Sequence, residues 1–177
     1  LEALLSDIYG DRQLISDVSI PADLLFANPE YMLEAHGLNP EGPWLNFLAH
    51  DLVRDSSGEW LVLGQSTQAP AGLGYVLERR LIVSRVMGFL LRRMTVKRLS
   101  SFFRTMRTFL RKNSRDEDLT ILLTPGQSLE SYFEHAFLAN HLGFTLAEGD
   151  DLTVRNHRLM LKTLSGLHPV SGVLRRV

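Results

Sequence analysis

Two stretches carry residue types that could handle phosphate or a small polar substrate. The first, VLGQSTQAPAGLG (62–74), leads an alternating apolar run into a Pro/Gly loop ahead of a basic, helix-like segment. Gly72 and Gly74 would let backbone amides approach a phosphate, although AGLG lacks P-loop spacing and equally suits a turn. A phosphate or magnesium site would place a carboxylate just after the strand, where Gly64 stands. The second stretch, TPGQSLESYFEH (124–135), joins a buried-type strand to a helix, a loop that points free amides outward at the carboxyl edge of an α/β sheet. Gly126, Tyr132 and Glu134 are its candidates for contact with an amine-bearing substrate. The alternative is that Tyr132 and Phe133 pack while Glu134 caps a helix or pairs with an arginine. His135 and Glu134 are not a metal pair, because adjacent helical residues point apart.

These loops must be held by elements that the hydrophobic periods outline. Leu1–Tyr9 reads as a helix stopped by Gly10, and 21–26 as a short helix with Pro21 in its first turn. Trp44–Asp55 and EWLVLG (59–64) read as two strands joined at Ser56–Gly58, an antiparallel hairpin. Helices are expected over 73–91 and 101–111, the second with Phe102, Met106, Phe109 and Leu110 on one face and Arg104, Arg107 and Arg111 on another. Leu119–Leu123 and Phe144–Ala147 should be adjacent parallel strands joined by a helix over 128–142 that Gly143 ends. DLTVRNHRLMLKTL (151–164) looks like a hairpin turning near Asn156, and PVSGVLRRV (169–177) like a last strand. The fold class is therefore α/β, an α+β mixture, divided at 1–118 and 119–177.

With 177 residues, 45% of them hydrophobic, the chain can bury an ordinary core. It has no cysteine, which excludes disulfides, iron-sulfur clusters and thiolate catalysis and agrees with a reducing, cytoplasmic setting. No apolar run approaches the roughly 20 residues that span a bilayer. Both ends fall inside apolar patterns, so the chain reads as a fragment and should expose apolar surface near its first helix and near Val173–Val177. The net charge of −1 conceals an asymmetry, since Arg79–Arg115 holds 12 Lys/Arg and no Asp or Glu.

Taken in order, LLSDIYGDRQLI, DLVRDSSGEWLVL, TQAPAGLGYVLERR, YFEHAFLANHLGF and EGDDLTVRNHRLMLKTLSGLHPV give a pattern that resembles the circularly permuted ATP-grasp proteins, glutathionylspermidine synthase-like sequences among them. The resemblance implies an ATP-grasp hairpin segment followed by a Rossmann-like preATP-grasp β-α-β unit, truncated here. It also implies ATP-dependent ligation of a carboxylic acid to an amine through an acyl phosphate, with ATP and Mg2+ as cofactors. Asp51 matches the first metal-binding acid of that hairpin, while the family's Glu-x-Asn falls on Gly64 and Ser66, so one ligand of three survives. Ser66 and Thr67 could still ligate through hydroxyls. Arg175 and Arg176 match an Arg pair of the family, and guanidinium suits a phosphate oxygen. With Ser66, Thr67, Gly72 and Arg80 they make up the expected nucleotide and phosphate contacts.

The expected partners are small-molecule acid and amine substrates, and the missing C-terminal half or a partner subunit, whose acidic parts the basic segment could meet. That segment, interleaved with Phe102, Phe103 and Phe109, also has the charge for nucleic acid or an acidic membrane, but no nucleic-acid motif accompanies it. A non-catalytic ATP-grasp relative acting as a binding or scaffolding module is the alternative function, and the chain alone is not expected to ligate anything.

Overall fold

Residues 1–40, 42–112 and 118–177 are described by a computed structural model. They divide into two compact units, Leu1–Pro70 and Ala71–Val177. The basic helical segment, grouped with the hairpin in the sequence division at 118, therefore belongs with the sheet: its helix Leu73–Val86 packs on the helix Tyr132–Leu142, and its helix Ser100–Leu110 on the strand Gly166–Arg175. Arg115, the last of the 12 basic residues, lies outside the described residues.

The first unit contains helices α1 (Glu2–Tyr9), α2 (Gln13–Ser16) and α3 (Ala22–Phe26) and strands β1 (Ala49–Arg54) and β2 (Trp60–Ser66). Polar and aromatic contacts organise it, and no described apolar side chain before Pro70 is buried. The Asp7 carboxylate accepts from the Gln13 and Leu14 amides at 2.8 and 3.1 Å. Tyr9 stacks on Tyr31 and Trp44 with ring centroids 5.3 and 5.2 Å apart. The Glu2 carboxylate accepts from the Trp44 and Leu45 amides, which takes 44–48 out of the expected strand. In the β1–β2 turn, Asp55 Oδ1 accepts from the Ser57 hydroxyl at 2.6 Å and from the Ser57 and Glu59 amides, and these bonds, the hydroxyl first, hold its carboxyl below the usual carboxylate range. The two-stranded hairpin exposes Leu52, Trp60, Val62 and Leu63, so the apolar surface is larger here than at Val173 or Val177.

The second unit contains α4 (Leu73–Val86), α5 (Gly88–Arg93), α6 (Ser100–Leu110), β3 (Leu119–Leu123), α7 (Tyr132–Leu142), β4 (Thr145–Ala147), β5 (Leu152–Arg155), β6 (Arg158–Thr163) and β7 (Gly166–Arg175). The sheet order is β4-β3-β7-β6-β5. As the sequence predicts, β3 and β4 are parallel neighbours joined by α7, although α7 begins later, at Tyr132. Gly143 at φ +68 ends that helix, with the Phe144 amide reaching back to the Ala139 carbonyl at 2.9 Å. The expected single helix over 73–91 breaks at Met87 (φ −124°) just ahead of Gly88, a poor helix former.

Strand alternation splits the core. Leu122 joins Leu77, Phe103, Leu138, Leu142 and Phe144 beneath the helices, whereas Ile121 joins Ala147, Leu161 and Val170. The β5–β6 hairpin turns through Asn156 (φ +50) and His157 (φ +60), the left-handed pair of a type I′ turn. A left-handed non-glycine residue is strained by ~1–2 kcal/mol, so His157→Gly should stabilise this unit by about 0.5–1 kcal/mol after the extra entropy of glycine in the unfolded chain is offset. A urea midpoint that is unchanged or lower would contradict it.

Candidate functional site

Strands β4, β3 and β7 run parallel, with β3 in the middle, so their carboxyl ends open together at the place where α/β sheets bind ligands. The Leu123–Arg175 register sets Arg175, which is exposed, beside the end of β3. Just past the strands, the Thr124 amide donates to the Ala147 carbonyl at 2.9 Å and the Arg176 amide to the Leu123 carbonyl at 3.0 Å.

The loop after β3 is folded around buried Thr124 and His135. Thr124 Oγ1 accepts from the Gly126 amide at 3.3 Å and lies 2.9 Å from His135 Nδ1, while His135 Nε2 lies 3.3 Å from Ser131 Oγ. The Thr124 hydroxyl, which accepts from Gly126, can give its proton to Nδ1 or accept one from it, so either neutral tautomer satisfies both contacts of the ring. Burial first, and then the Arg176 charge, push the His135 pKa down, with Glu134 opposing. A depressed folded-state pKa means that neutral His135 stabilises the fold fully above its ordinary value near 6.5, and that this contribution is lost as pH falls through the folded value. His135→Gln should therefore flatten the fall in urea midpoint between about pH 7.5 and pH 5.5. An unchanged slope in the variant would place the acid sensitivity elsewhere. Gly126, at φ +101, sits against the Glu148 carboxylate, which a Cβ there would meet at 3.0 Å.

Glu134 has no exposed surface. Its carboxylate accepts the Gly72 amide at 2.9 Å and the Gly74 amide at 3.1 Å, and it pairs with Arg176, whose side chain is 3% exposed, at 3.5 Å. Gly74 is required for the approach, because a Cβ would stand 2.6 Å from Glu134 Cγ. The glycine loop is thus a helix start whose anion comes from within the chain: Glu134 occupies the N-terminus of α4, where a phosphate would otherwise be favoured. Of the two readings of Glu134, capping together with arginine pairing describes its contacts. Gly72, Glu134 and Arg176 come together, although as partners of one another. Tyr132, half-buried, opens α7 two residues before Glu134. Arg80 is apart, donating to the Lys97 carbonyl at 3.0 Å. Sequence reasoning missed Thr124, His135 and Glu148; a Thr ahead of Pro-Gly with a His on the following helix was the available signal for the first two.

Asp51, Ser66 and Thr67 lie in the other unit. Asp51 pairs with Gly64 and Ala49 with Ser66, so positions 51, 64 and 66 share a face while Gln65 and His50 take the opposite one. A Cβ at Gly64 would be 3.0 Å from Asp51 Oδ2. That face offers one carboxylate and one hydroxyl, which does not fit a protein-held magnesium ion. Among the described residues no three His, Asp or Glu side chains are grouped to hold a metal. Nor is any described helix long and apolar enough to cross a membrane.

Known proteins resemble this sequence along its whole length. An uncharacterised protein of Synechocystis sp. is 32% identical over 181 aligned residues, covering all of this chain and 38% of its own length. Two uncharacterised proteins of Mycobacterium tuberculosis are 35% and 32% identical, again over the whole chain and over 20% and 33% of their own lengths. The chain thus spans between a fifth and two fifths of these relatives. The family model for circularly permuted ATP-grasp type 2 matches residues 1–177, and the chain belongs to that family.

Proposed function

We propose that the chain is part of an ATP-dependent ligase that joins a carboxylic acid to an amine, and that its own share is to hold an anionic group at the carboxyl edge of β4-β3-β7. The observation that carries this reading is exposed Arg175 beside the end of β3, next to a loop braced by Thr124 and His135. In the reaction a carboxylate oxygen attacks the γ-phosphorus of ATP and ADP leaves; the amine then attacks the acyl carbon and phosphate leaves with the bonding electrons. Arg175 is suited to orient the acid or its phosphate oxygens, and the rigid loop fixes where they sit. Arg176 and Glu134 act through position, since each is occupied by the other. The likeness to glutathionylspermidine synthase-like sequences points to a peptide-type bond. ATP and magnesium are family-level expectations, and Asp51 is the one carboxylate this hairpin face could contribute.

The second reading, a non-catalytic binding or scaffolding relative, is favoured by Gly64 opposite Asp51. Phosphate release by the full-length protein from ATP and magnesium, required to depend on an acid and an amine together, tests the two. Nucleotide binding without turnover under any acid and amine pair, or no nucleotide binding, supports the scaffold.

A further inference from the structure

We propose that the cleft between α4, α5 and the start of α6 is a binding site for a phosphate carried on an apolar body. The cleft measures about 520 Å³ and is lined by Arg80, Arg92 and Arg98 around Leu81, Leu91 and Val96. Among the described residues no carboxylate forms an ion pair with these arginines: residues 79–112 contain no Asp or Glu, and the ion pairs are Arg158–Asp118 and Arg176–Glu134. Guanidinium groups of one sign around one cleft repel, and a visiting phosphate removes that repulsion while accepting bidentate hydrogen bonds. Arg80 is already oriented by its bond to the Lys97 carbonyl, and Ser84 Oγ donates to the Arg80 carbonyl at 2.7 Å. His141, which also lines the cleft, stacks on Phe137 at 6.4 Å and meets Phe103 edge-on at 5.6 Å. A bare phosphate would leave the leucine and valine walls wet, and a neutral apolar molecule would leave the arginines unpaired. A ligand with both parts satisfies the whole lining.

Titration calorimetry with octyl phosphate, octanol and inorganic phosphate tests this. Octyl phosphate should bind saturably at one site, roughly tenfold or more tighter than inorganic phosphate, the gain from burying two or more methylenes. Arg92→Gln with Arg98→Gln should weaken it by roughly tenfold or more. Arg104→Gln with Arg107→Gln removes equal charge from α6 away from the cleft and should leave affinity within about twofold. Equal affinity for octyl and inorganic phosphate, or equal weakening by both pairs of substitutions, overturns the site. Adsorption to phosphatidylglycerol vesicles without saturable octyl phosphate binding also overturns it, and makes the segment a membrane-facing surface instead.

Discussion

Glu134→Gln is expected to destabilise the Ala71–Val177 unit by about 3–5 kcal/mol, the cost of breaking a buried ion pair from one side. The carboxylate makes two kinds of contact that an amide cannot reproduce together. It neutralises Arg176, and it accepts the Gly72 and Gly74 amides at the start of α4. Oε1 receives both amides and the guanidinium while Oε2 shares the Gly72 amide, so a glutamine with its carbonyl at Oε1 sets its NH2 against the Gly72 amide, donor against donor, and removes the charge that faces Arg176. The urea midpoint should fall by roughly 1–3 M. Arg176→Met should be costly for the converse reason, and the double variant should cost clearly less than the two singles summed, because each single breaks the same buried pair from one side. The probe matters: both tryptophans, Trp44 and Trp60, lie in the Leu1–Pro70 unit, so far-ultraviolet circular dichroism or hydrogen exchange at β3 is the measurement to follow. Additive singles, or a loss below about 1 kcal/mol for Glu134→Gln, would show that this pair is not what ties α4 to the sheet.

The same contact explains how far the site could be read in advance. The β3-α7-β4 unit was legible because its signals are local: an apolar run, a helical period and a glycine at the end. The turn at Asn156 was legible for the same reason. Glu134 and Gly72 are 62 residues apart, and nothing local distinguishes a glycine that receives a phosphate from one that receives a buried carboxylate. The pairing of β7 with β3 is likewise non-local, so Arg175 could be nominated by type but not set beside the β3 loop. Trp44–Leu48 looked like strand by composition, yet the Glu2 carboxylate claims the amides of Trp44 and Leu45. The break at Met87 was obscured by the apolar residues that run through it. At the hairpin, the equivalence of 51, 64 and 66 depended on a register that side-chain type alone leaves open.

Restoring acids to that hairpin is expected to create a divalent-cation site. Gly64→Glu together with Ser66→Asn should tighten Mn2+ binding by the protein by roughly tenfold or more, as ligand charge and number rise, and Asp51→Ala in that background should return it to the starting value. The reason lies in the register. Leu52 pairs with Val62, so an unbroken ladder would set Asp51 opposite Leu63; the irregularity between Asp51 and Leu52 skips Leu63, 72% exposed, and brings Asp51 opposite Gly64. Positions 51, 64 and 66 then project from one face, and the 3.0 Å approach of a Cβ at 64 to Asp51 Oδ2 puts a new carboxylate within reach of the old one. Without a cation the two acids repel, so the gain should appear as metal-dependent stability as well as affinity. Electron paramagnetic resonance of free Mn2+ reads the binding directly and needs no nucleotide. Moving the same two substitutions one residue along, Gln65→Glu together with Thr67→Asn, supplies the decisive control, because position 65 lies across from His50 on the face opposite to Asp51. Loss of the new site in that variant ties it to the register. Retention, or equal Mn2+ binding in every variant, would mean that these positions never converge on one ion, and that the hairpin end is a turn into α4 and nothing more.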